Sequence, residues 1–315
     1  MREAWQGDAM KSSRRQFFRT AGLGAATGAA LSHSAQAQLP MGDADAVYTV
    51  KDDSPIKHSV MGWCFKPIKA PELAKHGAQI GLKGMEGIGK NDYKAVKELG
   101  LEISLVSGGH GFANGPCNPA NTQNVIEGLK GGIELAAEIG TKNVITFTGM
   151  KFDGMDPDKA ARLCVDTWKQ VMPLAEKKGI TLVLEHLNSR DDTHPMKGHP
   201  GYFGDDVDFC VELINQVGSP NFKLLFDCYH VSVMNGDVIR RIRQYKDLIG
   251  HYHTAGNPGR GELDDKQEMN YPAIMREIVK TGYNGYVAHE FIPTWEDKIA
   301  ALRHGVEVCD SAVNQ

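Results

Sequence analysis

No lysine or arginine cluster stands out after residue 19, no cysteine pair has C-x-x-C or zinc-finger spacing, and no glycine run has the G-x-G-x-x-G frame of a dinucleotide cradle. Each absence excludes a class of function. A chain of 315 residues with 35 Lys+Arg against 39 Asp+Glu has no excess of positive charge to neutralise phosphates, so nucleic acid is not an expected partner. The six cysteines (Cys64, Cys117, Cys164, Cys210, Cys228, Cys309) are scattered, and Cys64, Cys164, Cys210 and Cys228 sit inside apolar patterns. Buried thiols are expected, neither a disulfide framework nor a nucleophile. Long hydrophobic runs are missing too: residues 20–31 carry no charge but are too few and too Gly-rich to span a bilayer, so no stable membrane anchor is expected. With 41% hydrophobic and 8% aromatic residues and a mean hydropathy of -0.34, a disordered chain, a collagen-like repeat and a polytopic membrane protein are also excluded.

What is present begins with a leader. Ser13-Arg14-Arg15-Gln16-Phe17-Phe18-Arg19 places paired arginines before two aromatics, the uncharged stretch follows, and Ala35-Gln36-Ala37 supplies a small-x-small cleavage site. This resembles the signal read by the Tat translocase, which would be a partner during export, and it implies a periplasmic or otherwise exported protein. Setting aside residues 1–37, with five basic groups (Arg2, Lys11, Arg14, Arg15, Arg19) and two acidic ones (Glu3, Asp8), leaves 30 basic against 37 acidic, a formal charge of -7. Residues 38–56, with Pro40, Gly42 and Pro55, read as a polar lead-in, and residues 57–315 as one domain.

Within that domain eight short apolar runs rich in β-branched residues alternate with segments of helical spacing: His58–Cys64, Gly81–Ile88, Leu101–Ser107, Asn143–Thr148, Thr181–Leu187, Lys223–Tyr229, Ile249–Thr254 and Gly285–Phe291. Helices are expected over Asn91–Leu99, Asn121–Ile139, Asp156–Lys178, Asp205–Val217, Gly236–Leu248 and Asn270–Thr281, closing on Gly100, Gly140, Gly179, Gly218, Gly250 and Gly282, with a terminal helix near Thr294–Asp310. Eight strand–helix units suit an α/β protein of the (β/α)8 TIM barrel type, whose usual size is about 250 residues. A doubly wound sheet would place its phosphate turn after the first strand, where Trp63-Cys64-Phe65-Lys66-Pro67 stands instead. Gly108-Gly109-His110-Gly111, after the third run, reads as a mobile loop.

Active sites of such barrels lie at the strand C-termini, so polar residues that end apolar strands are the informative ones. Four runs end that way: Val183-Leu184-Glu185-His186, Leu225-Phe226-Asp227, His251-Tyr252-His253 and Val287-Ala288-His289-Glu290. Strand alternation lets Glu185, Asp227, His253 and Glu290 point into one mouth. Any one acid alone reads better as a strand-end ion pair. Three converging carboxylates repel unless a cation or proton resolves them, and a divalent metal held by two Glu, one Asp and one His is the expected resolution. The oxygen-rich set suits Mg²⁺ or Mn²⁺, with Zn²⁺ or Co²⁺ as alternatives.

The segments Leu184-Glu185-His186-Leu187-Asn188, Phe226-Asp227-Cys228-Tyr229-His230, His253 to Glu262, Asn270-Tyr271-Pro272 and His289-Glu290-Phe291 resemble the xylose-isomerase-like TIM barrels, and within them the hydroxypyruvate isomerase family, over roughly residues 57–310. The resemblance implies metal ligation by Glu185, Asp227, His253 and Glu290, and an acid/base pair of Glu185 and Glu290. It also carries a departure: characterised hydroxypyruvate isomerases tend to have Gln where His253 stands, whereas ketose epimerases of the superfamily have His.

Around these four, Arg260 is a candidate for a substrate carboxylate, His230 for a substrate hydroxyl, and Trp63 for a pocket wall. The long loop Ser189–Gly204, which contains His199, reads as a lid reaching over the mouth. His110 and Glu86 also end strand runs, with a weaker case for each. The expected reaction is a metal-dependent isomerisation of a small hydroxycarbonyl compound: one glutamate takes a proton, an enediolate forms, and the other glutamate returns the proton to the next carbon. For hydroxypyruvate the product is tartronate semialdehyde. A ketose epimerase or a keto-sugar lyase or hydratase on the same metal site is the alternative, followed by a non-catalytic sugar-binding module. An endonuclease of the superfamily needs extra ligands where this chain has Thr148-Gly149-Met150 and Gly259-Arg260-Gly261. A homo-oligomer is compatible with the chain, and the sequence leaves that state open.

Overall fold

The computed structural model describes residues 47–314, so the leader and residues 38–46 of the lead-in lie outside the described residues. Nine parallel strands, β1 (Lys57–Met61), β2 (Gly84–Glu86), β3 (Glu102–Ile103), β4 (Val106–Ser107), β5 (Asn143–Phe147), β6 (Thr181–Glu185), β7 (Phe222–Asp227), β8 (Ile249–Thr254) and β9 (Tyr286–His289), form one sheet. Its order is β3-β2-β1-β9-β8-β7-β6-β5-β4, a nearly closed barrel in which the first strand pairs with the last. The third expected run arrives as two short pieces, β3 bonded to β2 and β4 bonded to β5, on either side of Ser104 and Leu105. The (β/α)8 plan is thus the observed architecture, with its third position split.

Helices α1 (Ala70–Ile80), α2 (Tyr93–Glu98), α3 (Thr122–Ile139), α4 (Pro157–Lys169), α5 (Met172–Lys178), α6 (Val207–Val217), α7 (Cys228–Met234), α8 (Val238–Tyr245), α9 (Tyr271–Lys280) and α10 (Lys298–Asp310) follow the strands. Asp156, Asp206, Asn270 and Asp297 cap α4, α6, α9 and α10, their side chains accepting from backbone N–H groups of the first turn. The single helix expected over Asp156–Lys178 is broken, because Pro173 has no N–H to give and its ring crowds the carbonyl one turn back.

Three other expectations change. Gly250 does not close a helix: α8 ends at Tyr245, and Gly250 lies inside β8. Cys228 and Tyr229 do not extend β7 but open α7. Gly108 and Gly109 form a close crossing, since a Cβ on Gly109 would stand 2.5 Å from Gly128 Cα of α3 and one on Gly108 2.3 Å from the Ile145 carbonyl oxygen.

The main apolar core fills the layer between strands and helices. A small one, Leu105, Val183 and Leu225 with Ile145 against it, lies inside the barrel. Two residues further along their strands stand Glu185 and Asp227, so the interior plug is the floor of the site. All six cysteines are buried and free. Among the described residues no helix is long and apolar enough to cross a membrane.

Candidate active site

Register decides which side chains meet. Glu185 pairs with Leu225, and Asp227 with His253, which in turn pairs with Ala288, two residues before Glu290. The β7–β8 ladder slips by one residue between Leu224 and Leu225, skipping Gly250, and only because of that slip does His253 rather than Tyr252 lie opposite Asp227. A side chain at 250 would not fit there: its Cβ would lie 2.9 Å from Lys223 Cβ and 3.0 Å from Val183 Cγ1. The glycine read as a helix end is the bulge that sets the site.

Glu185, Asp227, His253 and Glu290 bring potential ligand atoms within 4.8 Å of one another, all four buried. His253 Nδ1 is 3.2 Å from Glu185 Oε1 and 2.6 Å from Glu290 Oε2. Arg260 enters from the loop after β8, with Nη2 2.8 Å from Glu290 Oε2 and 3.5 Å from Asp227 Oδ2. Its backbone φ of 53° is unusual for a residue with a side chain, a strain held at the site by the surrounding loop. Asp227 has a second duty, as its Oδ1 accepts the Tyr229 and His230 N–H groups and caps α7.

Crowding shows in the acidities. Burial, followed by the charge of Glu290, pushes Glu185 up to about 7. Asp227 rises to about 6 through burial, against the pull of Arg260. For Glu290 burial also works upward, but Arg260 and His253 outweigh it and hold the group at about 2. Burial opposes a charge on His253, yet Glu290 and the surrounding carboxylates drive its pKa well above the imidazole range. A proton and a cation compete for the same place between these groups.

The donor set fits a hard divalent ion. It offers three carboxylates and one imidazole nitrogen, and Glu290 Oε2, though close to Arg260 and His253, has no aligned hydrogen-bond partner while buried.

The substrate candidates stand around this group. His230 Nδ1 accepts the Asn188 backbone N–H at 3.1 Å, which leaves the hydrogen on Nε2, and Nε2 is buried with no aligned hydrogen-bond partner, 3.5 Å from Asp227 Oδ2. Burial, reinforced by Arg260, drives its pKa well below the usual value, so the ring is a neutral donor. Trp63, in the turn after β1, lies under the Arg260 guanidinium 5.5 Å from the ring centroid. His199 packs against Phe112 at a tilt of 42° with centroids 4.1 Å apart and approaches His230 at 6.2 Å. Its loop is fastened at the rim: Arg260 Nη1 donates to the Met196 carbonyl at 2.6 Å, Asn188 Nδ2 to that of Lys197 at 2.7 Å, and Tyr202 Oη to that of Glu185 at 2.9 Å. His110 stays outside the cluster, bonded to Thr146 Oγ1. Glu86, given little weight in the sequence, reaches the centre: it lies 2.8 Å from His253 Nε2. The signal was there, since it ends an apolar run as the other acids do.

Residues 78–312 match the model of the xylose isomerase-like TIM barrel family. The chain belongs to that family. It is 27% identical over 228 residues to the hydroxypyruvate isomerase of Escherichia coli (strain K12), covering 69% of this chain and 85% of that protein. Against the 2-oxo-tetronate isomerase of Cupriavidus necator it is 30% identical over 161 residues, 51% of this chain and 59% of the relative. Among solved structures, a 3-keto-D-glucoside 4-epimerase from E. coli superposes with a TM-score of 0.68 at 20% identity over 81% of this chain and 99% of the other. An L-ribulose 3-epimerase superposes at 0.67 and 18% identity, over 82% and 95%. These two likenesses carry the fold, whereas the sequence relatives carry the class: the chain is an isomerase of this family.

Proposed function

We propose that the protein is a divalent-metal-dependent isomerase of a short hydroxycarbonyl compound, with hydroxypyruvate to tartronate semialdehyde as the leading reaction. The observation that carries the proposal is the convergence of Glu185, Asp227, His253 and Glu290 on one rim above an apolar floor. A bound cation, Mg²⁺ or Mn²⁺ by the oxygen-rich donor set, supplies Lewis-acid polarisation of a carbonyl oxygen and offsets the charge that develops there. Glu185 and Glu290 are the proton carriers, one taking a proton from the carbon beside the carbonyl and the other delivering one to its neighbour. His230 Nε2 donates to a substrate oxygen. Arg260, whose buried Nε has no partner, suits a substrate carboxylate, with Trp63 and His199 closing the walls.

A second reading, a ketose epimerase on the same residues, is favoured by histidine rather than glutamine at position 253. Turnover of hydroxypyruvate, free ketohexoses and 3-keto-glycosides by the purified protein with Mg²⁺ or Mn²⁺, followed by NMR in D₂O, separates the two. Absence of both conversion and solvent exchange on all of them overturns both substrate assignments.

Metal uptake is tested at Asp227. Replacing it by Ala would also remove the α7 cap, at a cost of about 1 kcal/mol, so Asp227→Asn is the cleaner variant: it keeps a capping oxygen and loses the charge. It should lose most bound Mn²⁺ by elemental analysis while far-UV CD stays unchanged. Undiminished metal content would move the cation site elsewhere.

Export through the Tat translocase is part of the proposal, resting on Arg14 and Arg15 ahead of the uncharged stretch. Arg14→Lys with Arg15→Lys should leave the precursor in the cytoplasm. Normal periplasmic accumulation of the double variant overturns this route.

A further inference from the structure

Inside the barrel, beneath the four converging groups, lies a second set of buried polar side chains: Glu86 from β2, Ser104 between β3 and β4, and His251 from β8. Glu86, His251 and His253 offer ligand atoms within 4.8 Å of one another, which is the spacing of a metal site in its own right. Their bonding argues against that use. Glu86 Oε2 accepts from Ser104 Oγ at 2.5 Å and lies 2.9 Å from His251 Nε2, while Oε1 lies 2.8 Å from His253 Nε2. Ser104 is itself anchored to Ser59 Oγ at 2.6 Å. Both carboxylate oxygens are therefore engaged by hydrogen-bond donors.

We infer that Glu86 is a positioning residue for the cation site, acting through His253. The inference rests on the metal site proposed above and assigns a role to a residue outside it.

An ionised carboxylate can only accept, so the 2.8 Å contact keeps a hydrogen on His253 Nε2 and leaves Nδ1 as the nitrogen open to a cation. A neutral ring with hydrogen on Nε2 has its lone pair on Nδ1, the atom that faces Glu185 and Glu290. Without Glu86 the preference reverses: a hydrogen on Nδ1 would find carboxylate acceptors at once, and the lone pair would turn to Nε2, away from the ligand group. A histidine in that form cannot donate to a cation shared with Asp227 and the two glutamates. A carboxylate behind a ligating histidine fixes ring orientation and raises donor strength, and losing such a partner typically weakens metal binding by about 10–100-fold.

Mn²⁺ titration of the metal-free full-length chain, read by calorimetry or by the EPR signal of the free ion, tests this without reference to turnover. Glu86→Gln keeps the shape and removes the charge, and should raise the Mn²⁺ Kd by about 10–100-fold. The same substitution made on a His253→Gln background should change Kd by less than about twofold, because the route through the imidazole is already gone. Should Glu86→Gln fail to fold, Glu86→Asp retains the charge but withdraws it by one methylene, and carries the same pair of expectations. An unchanged Kd in the single variant, or equal losses on both backgrounds as a general structural role would give, overturns the inference while leaving the metal site intact. A wild-type chain that takes up no Mn²⁺ overturns the metal site itself, and the inference with it.

Discussion

With Mn²⁺ in enough excess to keep the site filled, Glu185→Gln and Glu290→Gln should each cut kcat on the best substrate by about 10²–10⁴, a larger loss than that in Mn²⁺ affinity. The amide keeps an oxygen able to face a cation and removes only the group that titrates. Both residues are buried and both reach the same cluster, yet their settings differ. Glu290 lies against the Arg260 guanidinium at 2.8 Å, which favours the carboxylate and suits proton removal. Glu185 has no guanidinium beside it, and its burial next to Glu290 favours holding a proton for delivery. In D₂O the Glu185→Gln variant should therefore still exchange a substrate C–H for deuterium without forming product, whereas Glu290→Gln should do neither. Near-normal turnover by both variants would remove the two-glutamate mechanism. Exchange by Glu290→Gln alone would reverse the assignment.

The parts of this design that were legible in the sequence are those governed by local periodicity. Eight β-branched runs mark the strand positions, and polar residues at their ends mark the rim, because alternation along a strand is a property of the strand alone. What escaped depends on two segments at once. Gly250 looks like a helix stop until β8 is laid beside β7, where it becomes the residue that lets the ladder slip and brings His253 opposite Asp227. Gly109 looks like slack chain until α3 packs on it and Gly128 meets its Cα hydrogen. Asp227 ends an apolar strand, but the helix it caps begins on Cys228-Tyr229-His230, residues with no strong helical signal. Glu86 carries a weak signal on its own because its meaning comes from His253, 167 residues away in sequence.

The same dependence on distant partners governs the closure of the barrel, and Asp310→Asn should expose it as a loss of stability. Where β1 and β9 meet, a buried chain of side chains runs outward from the sheet to the end of α10. Thr254 Oγ1 is 3.2 Å from His289 Nδ1, His289 Nε2 is 3.1 Å from His58 Nδ1, and His58 Nε2 is 3.3 Å from Asp310 Oδ1. One set of hydrogens satisfies every link: the hydroxyl donates to His289, His289 to His58 and His58 to the carboxylate. Asp310 also receives the Tyr48 and Ser54 hydroxyls, so it ties the segment before β1 to the last helix. An amide at 310 offers one accepting oxygen in place of two and turns an N–H toward donors. At about 1–3 kcal/mol for the buried His58 donor left without a good acceptor, and less for the half-buried Tyr48 and Ser54 hydroxyls, the variant should lose on the order of 3 kcal/mol, a fall in Tm of roughly 5–10 °C. The pH dependence gives the sign. Burial works against the charge of Asp310, but His58, Ser54 and Tyr48 outweigh it and lower the group from 3.8 to about 2. Its contribution is therefore complete above about pH 5 and is lost as pH falls toward 2, where the carboxylate protonates in the folded protein as well. The Tm difference between wild type and Asp310→Asn should be full at pH 6 and should shrink between pH 4 and pH 3. A difference that is absent at pH 6, or that grows on acidification, would show that the barrel closes without this carboxylate.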